Sequence, residues 1–212
     1  MLVSSVLPRV WWAVVVAAIA FSAPAQSQDA SPILGSEDTQ SVALEVGPNL
    51  VSLRVHPDDR SFDAIFGSDL DRVLFIKDAR GVTFAPRYGV SDLPGWAWGE
   101  ALLVHVEDAF TLEVTGSRIL SSSEIVLGEG WSWIPVFLDQ PTPVETALST
   151  IAASLSTVED VDGRAYPDGD PALATIEPGQ GYRVHLDAAA TLRYGTPPTG
   201  RQTYRVATIE DA

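Results

Sequence analysis

The chain has 212 residues, with 28 Asp and Glu against 13 Lys and Arg, a formal net charge of −15, three His and no Cys. The lack of cysteine excludes disulfides, a lipoprotein anchor cysteine, a thiol nucleophile and Cys-ligated zinc or iron–sulfur sites. The acidic balance argues against non-specific binding to nucleic acid or anionic lipid, because the charge of the chain repels phosphate.

Residues 1–25 have the pattern of a secretory signal peptide. Arg9 supplies the positive charge, Val10 to Phe21 the apolar stretch, and Ala23-Pro24-Ala25 the small-residue cleavage site. The apolar run is shorter than the roughly 20 residues that a membrane-spanning helix needs. We therefore expect cleavage near Gln26, no transmembrane span afterwards, and a secreted, periplasmic or cell-surface location. An uncleaved membrane anchor is the alternative.

The remaining chain contains an internal duplication. The blocks VALEVGPNLVSLRV, VLFIKDARGVTFAP and GWAWGEALLVHVEDAFTLEVTG are followed, in the same order, by EIVLGEGWSWIPVFL, STVEDVDGRAYPD and EPGQGYRVHLDAAATLRYG. Equivalent residues include Gly47 and Gly130, Asp78 and Asp160, Gly81 and Gly163, and His105 and His185. The predicted organisation is a linker over 26–41, a first repeat over 42–116, a connector over 117–124, a second repeat over 125–195 and a tail over 196–212.

Each repeat is predicted to contain a strand, a short helix and about four more strands. Val51, Leu53 and Val55 alternate with polar residues, as half-buried strands do. A short helix is expected at Ser61 to Phe66, and a longer one at Pro143 to Ser154, where Thr142 to Glu145 has the capping-box form. Turns are expected at Asp78 to Gly81 and at Asp160 to Gly163. The predicted fold class is mainly β (α+β), as tandem repeats that pack against each other because each is small for independent stability.

These blocks resemble a repeat of secreted and cell-surface proteins of Bacteroidetes-like bacteria. Its pattern runs Gly-Trp-Asn-Leu-Ile/Val-Ser-Leu-Pro, then an Asp-Gly turn, then Pro-Gly-x-Gly-Tyr-x-Val. The first copy keeps Asn49 to Leu53, and the second keeps Gly130-Trp131, Asp162-Gly163 and Pro178 to Tyr182. The first copy departs from the pattern at Pro48 and at Glu100 to Leu102, and the second at Ser132 to Ile134. The resemblance implies a β-rich, non-catalytic accessory module of an exported protein.

Two tryptophan pairs, Trp96/Trp98 and Trp131/Trp133, are candidate ligand-binding residues. Two residues separated by one position on a strand project from the same face, so each pair would form an aromatic platform for a sugar or a protein. The Trp96/Trp98 pair, between Gly95 and Gly99, has the stronger claim to exposure, since Trp131 matches a structural tryptophan of the resembled repeat. Packing in the core or between the repeats is the alternative for both pairs.

A run of carboxylates in the second repeat is a candidate calcium site. Calcium binds several oxygen ligands, and turn-rich acidic loops supply them. The residues are Asp160, Asp162, Asp168 and Asp170. The spacing is not that of an EF-hand, and Asp-Gly is also an ordinary turn signature, so a simple turn is the alternative. No other cofactor is expected.

Enzymatic motifs are absent from the sequence. There is no G-x-S-x-G elbow, H-E-x-x-H helix, Walker loop or dinucleotide-binding glycine run. The three histidines are His56, His105 and His185, and the last two hold equivalent strand positions, which packing explains without catalysis. We therefore expect a non-enzymatic interaction or structural module, with carbohydrate binding through the tryptophans as the first alternative and a hydrolase with an unrecognised site as a distant one.

Overall fold

The computed structural model describes residues 31–169 and 171–195. Within them the chain is mainly β, which confirms the predicted fold class. The first repeat contains β1 (Leu34–Leu44), β2 (Gly47–Ser52), β3 (Val55–His56), α1 (Phe62–Phe66), β4 (Val73–Lys77), β5 (Thr83–Ala85), β6 (Val90–Ser91), β7 (Ala101–Val106) and β8 (Phe110–Ile119). Two 3₁₀ turns, Gly67–Arg72 and Pro86–Tyr88, follow α1 and β5.

The second repeat has the same kinds of element, most of them shorter. It contains β9 (Ile125–Leu127), β10 (Gly130–Ile134), β11 (Thr142–Pro143), α2 (Val144–Ala147), β12 (Leu155–Glu159), β13 (Ala165–Tyr166), β14 (Thr175–Ile176), β15 (Tyr182–Leu186) and β16 (Ala190–Leu192). None of the helices in the described residues is long or apolar enough to cross a membrane.

The main sheets of the two repeats have the same strand order. The first sheet runs β2-β7-β4-β5-β6 and the second runs β10-β15-β12-β13. Both are antiparallel, and the registers correspond: Pro48 pairs with His105 on the neighbouring strand, and Trp131 pairs with His185. The pair β1–β8 in the first repeat has its counterpart in β16–β9 in the second.

Alternation along each strand separates a buried face of the sheet from an outward face. In β15 the side chains of Tyr182, Val184 and Leu186 are buried, whereas Arg183 and His185 point outward. In β7 the residues Val104 and Val106 are buried on either side of His105. The buried faces form two hydrophobic clusters, one for each repeat, with Ile76 and Val104 central to the first and Val158 and Val184 to the second.

The repeats contact each other along the end of β2. Ser52 is fully buried there; its hydroxyl donates to the carbonyl of Gln180 (2.8 Å) and accepts from the amide of Val136 (3.0 Å). The backbone adds two hydrogen bonds, from Ser52 N–H to Gly179 O (2.9 Å) and from Gly181 N–H to Leu50 O (2.7 Å). Because buried polar groups need partners, these bonds fix how the second repeat sits on the first.

Several sequence-based predictions about element boundaries are wrong. The predicted linker 26–41 is wrong from residue 34, because β1 begins at Leu34 and pairs with β8, with a register shift between Leu34 and Glu37. The predicted connector 117–124 begins inside β8, which extends to Ile119. The signal peptide over 1–25 and the tail over 196–212 lie outside the described residues.

The helix predicted over Pro143 to Ser154 is also too long. Only Val144–Ala147 is helical, and the chain continues in turns. Thr142 does not cap it, because its hydroxyl donates to the carbonyl of Gln140 instead (3.0 Å). By contrast, α1 begins after Ser61, whose hydroxyl accepts the amide of Ala64, the usual N-cap bond.

Candidate functional site

The outward face of the second sheet is the best candidate for a functional site. Three adjacent strands, β10, β15 and β12, contribute its side chains. We call this surface the Trp131 face; it consists of Trp131, Trp133, Thr157, Glu159, Arg183 and His185.

Trp131 is the most exposed aromatic side chain on this face, with 45% of its surface accessible. The edge of its ring meets the ring of His185, the directly paired residue on β15, at 5.2 Å between centroids. The guanidinium of Arg183 lies 5.4 Å from the centre of the same ring, within cation–π distance. Trp131 is therefore held by two neighbours and still presents nearly half of its surface to solvent.

Polar groups surround the ring. Arg183 forms an ion pair with Glu159, which is directly opposite it on β12. Thr157 is opposite His185 on the same strand, and Trp133, half-buried, is opposite Arg183 on β10. The face therefore combines one exposed aromatic ring with planar hydrogen-bonding groups that are fixed on a sheet.

The first repeat builds a related cluster from a different strand. Pro48 holds the position of Trp131, and the ring beside His105 comes instead from Phe75 on β4, at 5.1 Å between centroids. Lys77 lies 5.3 Å from the Phe75 ring, as Arg183 lies near Trp131. Both sheets thus stack an aromatic ring and a cation next to the equivalent histidine, but Phe75 is half-buried and only the second repeat leaves its ring exposed.

Trp96 and Trp98 do not form an exposed platform; packing in the core and between the repeats, the alternative for this pair, describes them instead. Neither residue lies on a strand, and Trp96 is buried in the first cluster with only 4% of its surface accessible. Its indole N–H donates to the carbonyl of Glu100 at 3.2 Å. Trp98 belongs to the first repeat, but its ring stacks on Phe137 of the second repeat, at 6.4 Å between centroids. This pair therefore packs the core and joins the repeats.

Gly95 explains why Trp96 can be buried. A Cβ atom at this position would lie 2.5 Å from the carbonyl oxygen of Arg60, and the neighbouring Trp96 N–H donates to that same oxygen at 2.9 Å. The glycine is thus required for close packing of the two backbones rather than for an exposed loop.

The three described carboxylates of the candidate calcium site have separate environments. Asp160 is buried, and its oxygens accept the backbone N–H groups of Asp162 (3.0 Å) and Arg164 (2.8 Å) and the side chain of Arg164. Asp162 and Asp168 are exposed, and Asp170 lies outside the described residues. Among residues 31–169 and 171–195, no group of three His, Asp or Glu side chains is placed to hold a metal ion. Asp160 therefore acts as a turn-forming residue, the alternative that the sequence left open.

Asp78 has the same role in the first repeat. Its carboxylate accepts the N–H groups of Arg80 (2.9 Å) and Val82 (2.8 Å) and pairs with the Arg80 guanidinium. Those interactions hold the pKa of Arg80 above its usual value, just as Asp160 raises the pKa of Arg164.

The Pro-Gly-Gln-Gly-Tyr segment of the second repeat is structural as well. Tyr182 is fully buried, its hydroxyl accepts the N–H of Glu177 (2.8 Å), and burial raises its pKa to about 12. Gly179 and Gly181 lie at the contact with β2. This motif therefore anchors the core and the interface between the repeats.

Sequence reasoning missed the residues that surround Trp131. Arg183 and Glu159 come from separate blocks of the repeat, and only the strand register brings them together. Alternation placed Arg183 and His185 on one face of β15, but nothing in the sequence showed that this strand lies beside Trp131. Comparison of the chain with known proteins finds no matching family model, no matching curated protein and no matching solved structure.

Proposed function

We propose that this chain is an exported, non-enzymatic interaction module made of two β-repeats, and that the Trp131 face is its binding surface. The exposure of Trp131 carries the proposal. A folded protein buries most of its large aromatic side chains, so a Trp that stays 45% accessible on a rigid sheet is typical of a binding surface.

Two further observations support this proposal. The pattern of residues 1–25 favours export, and the repeated blocks resemble those of accessory modules in exported bacterial proteins. The buried carboxylate of Asp160 already accepts hydrogen bonds from the backbone of its own turn and from the Arg164 side chain. The aromatic face is therefore a stronger candidate for a binding surface than the acidic loop.

The test is whether the processed chain binds extracellular material through this face. Labelled protein should bind washed cell envelopes of the producing bacterium, and Trp131→Ala should weaken that binding at least tenfold. Tyr88→Ala is the matched control, because Tyr88 is an exposed aromatic residue (72% accessible) at the end of a 3₁₀ turn in the first repeat. Equal binding by Trp131→Ala and the control would reject the Trp131 face as the binding surface.

Export has its own test. N-terminal sequencing of secreted protein should begin within a few residues of Gln26. Recovery of membrane-bound protein that retains Met1 would contradict cleavage.

A further inference from the structure

We infer that the ligand of the Trp131 face is a neutral glycan, an inference that rests on the proposed function. A sugar ring has one face of C–H groups, which packs on an aromatic ring, and a rim of hydroxyl groups, each both donor and acceptor. The Trp131 ring offers the first kind of contact. Glu159, Arg183 and His185 beside it offer the second.

The site is preorganised for such a ligand. Arg183 is held between the Trp131 ring and the Glu159 carboxylate, and all three residues lie on paired strands of one sheet. Side chains already fixed before binding lose little conformational entropy when the ligand arrives. A shallow, rigid surface of this kind suits an extended chain of sugars.

Charge selects a neutral ligand over an acidic one. The chain carries −15 overall, and the positive charge of Arg183 is offset by its ion pair with Glu159. An acidic polysaccharide would therefore meet repulsion from the molecule as a whole without an unpaired cation at the site to compensate.

The composition of the face argues against a protein ligand. A stable protein interface buries about 800 Å² on each partner around an apolar centre of several side chains. Among the described residues, the other exposed large hydrophobic side chains lie outside β10, β12 and β15; they are Ile33, Leu34, Val46, Tyr88, Val126 and Val161. The exposed part of one indole ring is about the size of one sugar ring and much smaller than a protein interface.

The envelope-binding assay separates the glycan from a protein. Envelopes treated with periodate, which cleaves vicinal diols of sugars, should lose at least 90% of Trp131-dependent binding, whereas envelopes treated with proteinase K should keep it. The reverse result would overturn the glycan inference and leave the proposed function standing. A complete lack of binding to untreated envelopes would instead remove the proposed function itself.

Two further experiments test the neutral charge of the glycan and its stacking on Trp131; the first varies the salt concentration and the second uses a conservative variant. Binding to a neutral glycan should be unchanged between 0.1 and 0.5 M NaCl, whereas a change of tenfold or more in either direction would indicate a charged ligand and contradict the inference. Trp131→Phe should retain more binding than Trp131→Ala, because the smaller ring still stacks on a sugar. Equal losses in the two variants would argue against stacking.

Discussion

Asp78 and Asp160 each organise a turn from within the protein. Both carboxylates are buried, and each accepts two backbone N–H groups and pairs with an arginine. The arginine comes from different positions, two residues after Asp78 but four residues after Asp160. Each repeat therefore has a buried carboxylate whose charge is neutralised by an arginine. That arginine can come from either side of the turn.

Asp160→Ala should lower the free energy of unfolding by about 2–3 kcal/mol, because two backbone donors lose their acceptor and Arg164 loses its partner. Asp162→Ala is the matched control. Its side chain is 72% accessible, so the change should be within about 0.5 kcal/mol. Urea unfolding measures both, and similar values for the two variants would contradict the structural role of Asp160.

Glu100 should make the protein less stable as the pH rises. Burial, and secondly the nearby Asp78, raise the pKa of Glu100 in the folded state. A carboxyl with a raised folded pKa costs nothing where it is protonated in both states; stability is lost as the pH rises from the pKa of the unfolded chain to that of the folded state, and the full cost remains at higher pH. Glu100→Gln should therefore raise the Tm at pH 7 and leave it unchanged at pH 3.5. A lower Tm for the variant at pH 7 would contradict this assignment.

At the scale of elements, the contact between the repeats depends on one small residue. A Cβ atom on Gly181 would lie 2.6 Å from the Cβ of Ala101 and 3.0 Å from Cγ of Leu50. Ala101 begins β7, and Gly181 immediately precedes β15, the corresponding strand of the second repeat. The two positions are equivalent in the duplication, and the space between them holds one methyl group.

Gly181→Ala should therefore destabilise the protein by about 1–3 kcal/mol through overpacking. Ala101→Gly alone should cost about 0.5–1 kcal/mol, the usual effect of glycine within a strand. The double variant should be more stable than Gly181→Ala, since the methyl group has only changed sides. Urea unfolding of all four proteins gives the coupling energy, and strictly additive effects would show that these positions do not compete for space.

Local patterns predicted the strands whose two faces differ. Alternation around His105 and the Asp and Gly residues of the two turns are short-range signals, so β7, β15 and both turns could be placed from the sequence. The start of β1 could not, because its residues from Leu34 to Glu37 are exposed on both faces and show no period. Only pairing with β8, far along the chain, makes this segment a strand.

The contacts of the tryptophans also could not be predicted from local sequence patterns. The sequence left both an exposed platform and packing open for Trp96 and Trp98; the close approach of Arg60 at Gly95 accompanies the burial of Trp96, and Trp98 stacks on a residue of the other repeat. The surroundings of Trp131 are formed by Arg183, Glu159 and His185, and three different strands bring these four residues together. Contacts of this range are set by topology and register, which a local pattern does not contain.

For the whole molecule, the excess of acidic groups is the dominant electrostatic feature. The chain has 28 acidic and 13 basic residues, and Lys77 is its only lysine. Such a composition suits high salt, where screening relieves repulsion between like charges; a GC-rich genome that encodes Arg in place of Lys is the alternative explanation.

Thermal stability should rise between 0.1 and 1 M NaCl, as the Debye length falls from about 10 to about 3 Å. A variant in which three exposed acids are neutralised, Glu45→Gln, Asp108→Asn and Glu129→Gln, should show a smaller rise. Melting curves recorded by circular dichroism give both values. A Tm that is flat or falls with salt would leave genome composition as the explanation.

The long pairing of β1 with β8 also determines when the chain can fold. Ile33, just before β1, donates its amide to the hydroxyl of Ser123, 90 residues later. At a synthesis rate of about 5–20 residues per second, the N-terminal strand waits roughly 5–20 s for its partner. During that interval the sheet that β1 forms with β8 and β3 is incomplete, and pairing over such sequence distances is slow even after synthesis. For the export that we propose, this delay is useful, because a chain that has not yet folded can be threaded through a translocation channel.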